Sequence, residues 1–175
     1  MQARFLREGE CLEYASKDLE YPSGHFVCEV NQKLNTRDWL QTCHIPLQSV
    51  CCPVCGQEEE SHTHLFFDCV FSRNVICAVK RWLKGFAWPM QFSQWIKWLA
   101  LPRDDGFSVV LHASCAAAVY HIWQNRNLCW HDNFCLPVYR IDHLIRFSLK
   151  ARILNLVGSN CSVREKQMLQ FVMNL

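Results

Sequence analysis

Hydrophobic and polar positions divide the chain into a patternless front and a strongly periodic back. Residues 1–24 show no periodicity, are acidic, and close on Tyr21-Pro22-Ser23-Gly24, a turn signal that predicts a loosely held arm. A short helix is expected from Thr36, with Thr36 as cap, Asp38 near its positive end and Leu40 pointing inward. Pro46 prevents a long continuation. From Ser72 onward the period is helical. Val75, Ile76, Val79, Trp82 and Leu83 predict a helix from an N-cap at Ser72 to about Lys84, stopped by Gly85. Further helices are predicted over Phe92–Leu99 and, after the Asp104-Asp105-Gly106 turn, over Phe107–His131. Pro137 separates the latter from a helix over Val138–Val157, whose stripe is Ile141, Leu144, Ile145, Leu149, Ile153 and Leu156, and which Gly158 stops. Ser162 and Glu165 have capping-box spacing for a last helix reaching Val172.

Between these helices lies a stretch with no period and a different content. Cys52, Cys55, His64 and Cys69 are spaced C-x2-C-x8-H-x4-C. Three thiolates and one imidazole suit a closed tetrahedral site for one structural Zn2+. Two intervening residues let both sulfurs of Cys52-Pro53-Val54-Cys55 meet one ion from a single tight turn, and Gly56 lets the chain turn back. Cys51 in place of Cys52, and His62 in place of His64, are also compatible with permitted spacings. His64 and Cys69 are five apart, about 140° around an ideal helix, so they cannot share one helical face and a chain break is expected near Asp68. Glu58-Glu59-Glu60, between the ligand pairs, is expected to be hydrated.

The resulting expectation is a mainly α protein: a small zinc-knuckle-like loop flanked by helices, followed by a helical C-terminal extension. The divisions are an arm over 1–24, a metal domain over 25–100 and the extension over 101–175. Half the 175 residues are hydrophobic and 19% are charged, which excludes wholesale disorder. The N-terminus lacks the apolar core of a secretory signal. The longest apolar stretch, Val109 to Trp123, is broken by His112, Ser114 and His121 and falls short of the roughly 20 residues a spanning helix needs. An intracellular protein (nucleus or cytoplasm), away from membranes and with reduced thiols, is therefore expected. Its twelve cysteines would then be metal ligands or buried small hydrophobes.

Charge is unevenly divided. Residues 1–72 carry a net −6 and residues 73–175 a net +8, so an anionic partner should prefer the second part. Arg73, Lys80 and Lys84 lie near one stripe of the helix after the metal loop, with Arg81 beside it, either as a solvated face or as phosphate contacts. Trp82, Phe86, Trp88, Phe92, Trp95 and Trp98 read first as core, with base stacking as the alternative. Arg140, Arg146, Lys150 and Arg152 either decorate a solvated face or extend a nucleic-acid footprint. His112, Cys115 and His121 are too few for a second metal site.

Cys52-Pro53-Val54-Cys55-Gly56, Glu59-Glu60-Ser61, His64-Leu65-Phe66-Phe67 and Cys69, with Lys33-Leu34-Asn35-Thr36-Arg37-Asp38-Trp39-Leu40 upstream and Phe71-Ser72-Arg73-Asn74-Val75 downstream, together resemble a known pattern. It is that of the zinc-binding domain which follows the polymerase in plant LINE-type retroelement reverse transcriptases. The resemblance covers about residues 25–100, and Tyr120-His121-Ile122-Trp123-Gln124-Asn125-Arg126-Asn127 resembles the helical segment after it. Cys28 and Ile76 stand where the family often has tryptophan. No Tyr-x-Asp-Asp polymerase signature and no ribonuclease H set of carboxylates is found, so the resemblance implies the accessory domain without catalysis. It implies binding to RNA or single-stranded nucleic acid, with zinc as a staple. The alternatives are a zinc-stabilised surface for a reverse transcriptase or another protein, and a decayed fragment without function.

Overall fold

A computed structural model describes residues 34–83, 86–99, 106–156 and 162–175 of the protein. The expected arm, Lys84, Gly85, the Asp104-Asp105 turn and Gly158 lie outside the described residues. Among the described residues there are six α-helices: α1 (Arg37–Thr42), α2 (Val70–Trp82), α3 (Phe92–Leu99), α4 (Gly106–His131), α5 (Val138–Leu156) and α6 (Val163–Met173). A π-helical turn, His64–Asp68, precedes α2. Among the described residues there is no strand, only one isolated antiparallel bridge between Cys51 and Glu59. The protein is mainly α, with the Cys/His loop flanked by helices and a helical C-terminal part.

α4 and α5 form the central antiparallel pair, and α2 and α6 pack against both. The α5 stripe is the clearest product of the sequence pattern: Ile141, Ile145, Leu149 and Ile153 recur every fourth residue and all are buried. α6 begins at a complete capping box, in which the Glu165 amide donates to Ser162 Oγ and the Glu165 carboxylate accepts from the Ser162 amide. Two start positions differ from expectation. α2 begins at Val70 rather than after Ser72, because Cys69 is the N-cap and Ser72 is buried in the first turn. Thr36 stands at the N-cap of α1 with extended backbone but makes no side-chain cap, and Leu40 is only half-buried.

The tryptophans divide as core residues first. Trp82, Trp88 and Trp95 are buried, and Phe86 and Trp98 are half-buried and pack on the core. Ile76 is buried as well, so the missing tryptophan leaves a filled position.

α4 is 26 residues long and, by length and composition, apolar enough to cross a membrane, more than the broken stretch Val109–Trp123 suggested. Here it is the central helix of the body, and its buried set includes Asn125, Arg126 and His121. Asn125 exchanges hydrogen bonds with the Leu136 amide and carbonyl, pinning the α4–α5 turn. Cys129 and Cys135 bridge the same turn as a disulfide, with Cα atoms 4.9 Å apart. That is a third fate for cysteines expected to be reduced.

His121 Nε2 lies 2.8 Å from Ser148 Oγ on α5, its Nδ1 is buried without a partner, and burial pulls its pKa down to about 4. The unfolded chain takes up the proton first, near pH 6.5. Stability from this group is therefore fully present above that pH and is lost progressively as pH falls toward 4, by roughly 2–3 kcal/mol. Acid also protonates zinc ligands, so the decisive quantity is a difference. Urea midpoints of His121→Gln should fall less between pH 7 and 5 than those of the parent protein, and parallel curves would refute the assignment.

Candidate metal centre

The metal loop is built by short-range hydrogen bonds. The Gly56 amide donates to the Cys52 carbonyl at 2.8 Å, and the Cys52 amide to the Glu58 carbonyl at 2.7 Å. Gly56 sits at φ +68°, and since no atom lies near its missing Cβ, the left-handed backbone is what selects glycine. This turn presents Cys52 and Cys55 from one side.

The other side comes from the π turn. The Cys69 amide donates to the His64 carbonyl at 2.6 Å, an i→i+5 bond. That bond sets residues five apart on successive turns, which an α-helix would have separated by about 140°. The chain then leaves helical geometry at Cys69 (φ −58°, ψ 127°) before α2 begins. A break near Asp68 is thus present, but the expectation that the two ligands cannot share a helical face is corrected by the wider turn.

The ligand atoms of Cys52, Cys55, His64 and Cys69 all lie within 4.8 Å of one another. A zinc tetrahedron with arms of about 2.3 Å has edges of about 3.8 Å, so a small contraction closes the site. Cys55 Sγ and His64 Nε2 are already 3.4 Å apart. Cys52 and Cys69 are fully buried. A hydrogen bond from the Cys52 thiol, together with the amides of Ser72 and Phe71 at the start of α2, pulls the Cys69 thiol down to about 5 against the opposing effect of burial. The same hydrogen bond and burial push Cys52 up. Ready ionisation of one sulfur, and loss of the shared proton when an ion enters, are what a thiolate-rich zinc site requires. The cluster fits one structural zinc.

The alternative ligands lie outside the cluster. His62 Nδ1 lies 3.2 Å from Thr36 Oγ1, and burial lowers its pKa. The Cys51 carbonyl accepts from Arg37 Nη1. Neither joins the cluster of four.

Residues 23–75 match the family described as zinc-binding in reverse transcriptase. That segment is similar to a reverse transcriptase zinc-binding domain, and it contains all four clustered residues. The match covers less than half of the chain and ends within α2. Comparison with curated proteins and with solved structures finds no match to this chain.

Glu60 corrects an expectation. Glu58 and Glu59 are exposed, but Glu60 is 1% exposed. Its carboxylate accepts from Arg126 Nε and Nη2, both at 2.7 Å, and from the Arg37 amide at 2.9 Å. The Arg126 guanidinium stands against the rings of Trp123 and Trp130, at 4.9 and 4.4 Å, and Arg37 lies 4.2 Å from the Trp130 ring. The zinc-binding domain is thereby clamped to α4. A signal existed in the sequence: Arg126 is the single Lys or Arg in the whole of α4. Its partner, the third member of a glutamate run, had none.

The four cations proposed from the sequence do not form one uniform stripe. Arg73 is exposed but donates from Nε to the Phe67 carbonyl at 3.1 Å and lies 3.6 Å from the Asp68 carboxylate. Lys80 is half-buried and Arg81 exposed, both in the last turn of α2. Lys84 lies outside the described residues.

Proposed function

We propose that the protein is a non-catalytic, zinc-stapled module derived from a LINE-type retroelement reverse transcriptase of plant type, and that it binds nucleic acid, RNA foremost, in the nucleus or cytoplasm. The observation that carries the reading is the charge of the elements after the ligands: α2 bears Arg73, Lys80 and Arg81 and no carboxylate. Zinc fixes the origin of that helix through Cys69, so its cations are held in a fixed frame. No catalytic step is assigned, because the thiolate-rich site is closed and leaves no open coordination position.

The test is fluorescence anisotropy of zinc-loaded protein with a labelled single-stranded RNA across a salt series. Removing one cation that neutralises a phosphate should reduce the log-log salt slope by about 0.7. The combined Arg73→Gln, Lys80→Gln, Arg81→Gln and Lys84→Gln variant should flatten the slope by about 2, less than for four fully engaged cations because Arg73 is held by Asp68. Unchanged affinity and slope would reject this assignment. A second reading, docking to a polymerase domain or another protein, is favoured by exposed Trp39 and Ile45 around α1. Parent protein with no salt-dependent RNA affinity would turn attention to that surface.

A further inference from the structure

The outward face of α5 bears side chains that the hydrophobic core does not use. Opposite the buried Ile141, Ile145, Leu149 and Ile153 stand Tyr139, His143 and Phe147, spaced i, i+4, i+8 and all exposed. Tyr139 is 68% and Phe147 65% exposed. Successive members of this row are about 6 Å apart along the helix axis. A solvated helix face normally carries polar side chains there.

Cations flank the row. Arg140 is exposed, 5.8 Å from the Tyr139 ring, and Lys150 is half-buried one turn beyond Phe147. Neither forms an ion pair among the described residues. Arg146 is already engaged, by Asp142 at 3.0 Å and by the Leu175 carbonyl at 3.2 Å. Asp142 is the single carboxylate on α5, and it also accepts from Trp82 Nε1 at 2.9 Å. It is thus largely neutralised. An open cavity of about 380 Å³ lies among Tyr139, Arg140, Asp142, His143, Arg146 and Leu175. Trp82, the last residue of α2, reaches α5 through Asp142 and stands 5.4 Å from the Arg146 guanidinium. Lys80 and Arg81 share the last turn of α2 with Trp82.

We infer that the outward face of α5 is a stacking platform for single-stranded nucleic acid, with bases on Tyr139, His143 and Phe147 and phosphates on Arg140, Lys150 and the end of α2. This deepens the nucleic-acid reading above and rests on it. Exposed rings alternating with cations, with the one carboxylate of α5 already paired to Arg146 and Trp82, fit a strand with π faces and an anionic backbone. An acidic protein partner would satisfy the cations but would not call for a regular row of rings.

The experiment is anisotropy with fluorescein-labelled 12-mers, oligo(U) RNA and oligo(dT) DNA, plus a duplex of the same length, using the full zinc-loaded chain. Tyr139→Ala and Phe147→Ala are exposed changes, and unaltered thermal midpoints would verify that the fold is kept. Each should weaken single-strand binding about tenfold while leaving the salt slope in place, because stacking releases no counterions. Arg140→Gln with Lys150→Gln should instead flatten the slope by about 1.4. Duplex binding should be indifferent to the aromatic changes. A preference between the RNA and DNA 12-mers would identify which strand the platform serves. If the parent binds single strands and both aromatic variants bind equally well, the platform is refuted while the nucleic-acid reading stands. If the parent binds none of the three probes, both fall.

Discussion

Stripping zinc from the protein should unfold the stretch from Thr36 to Leu83 and lower the thermal midpoint of the whole chain. Structural zinc sites of this donor type supply about 10–16 kcal/mol of folding free energy in small peptides, comparable with or larger than the net stability of a whole domain, about 5–15 kcal/mol. Here the loop has few other means of support. Outside its four ligands it is held by a tight turn, one isolated bridge, the Glu60 clamp and two side-chain contacts, His62 with Thr36 and Arg37 with the Cys51 carbonyl. The effect should spread, because the π turn carries Leu65, Phe66 and Phe67, all buried. Phe66 and Phe67 pack with Ile76, Trp88, Trp95, Ala118 and Ile122 around a gap of only about 10 Å³. Losing the ion frees those rings from the wall between α2, α3 and α4. Circular dichroism before and after chelation should show loss of helix, with partial retention from the α4–α5–α6 group. Cys55→Ser and His64→Ala should do the same without chelator, and metal analysis should find one zinc per parent chain. An unchanged spectrum and midpoint after verified zinc removal would overturn the structural role of the ion.

What the sequence made legible follows from one-sided burial. α3, α4, α5 and α6 match their predicted spans to within a residue or so; α5 buries a face whose period survives in the amino-acid order, whereas α4, buried nearly all round over Val110–Cys115, was legible from the turn before it and Pro137 after it. The ligand spacing was legible for a similar reason, because coordination fixes donor type and number. The joint between His64 and Cys69 was not. A π turn has no propensity signature, and hydrogen-bond closure over five residues is decided by the demand that both side chains converge. Glu60 was illegible because its environment comes from a residue 66 positions away. The bridge between Cys129 and Cys135 depended on the chain reversing after α4, where Asn133 takes a left-handed conformation at φ +50°.

Removing either member of the Glu60–Arg126 pair should be the most damaging substitution outside the zinc ligands. Both side chains are nearly or fully buried, and the remaining partner would be left as an uncompensated charge, at a cost of about 3–5 kcal/mol. For a chain of this size that corresponds to a fall of about 10 °C in thermal midpoint. Arg126→Met should also loosen Trp123, Trp130 and the Asn35 carbonyl, which Nη2 reaches at 3.2 Å. Glu60→Gln keeps the shape and one acceptor and should cost less than Glu60→Ala. The double variant Glu60→Leu with Arg126→Met should be less destabilised than the two single changes summed, since no charge is then stranded. Urea unfolding of the four proteins gives the coupling directly. Because the Glu60 amide donates to the Val50 carbonyl at 2.9 Å and its own carbonyl accepts from the Asp38 amide at 3.3 Å, the same variants should release zinc to a competing chelator more readily. Additive losses, or single changes costing under about 1 kcal/mol, would mean that the carboxylate and guanidinium are individually solvated and that the zinc-binding domain and α4 are not clamped through them.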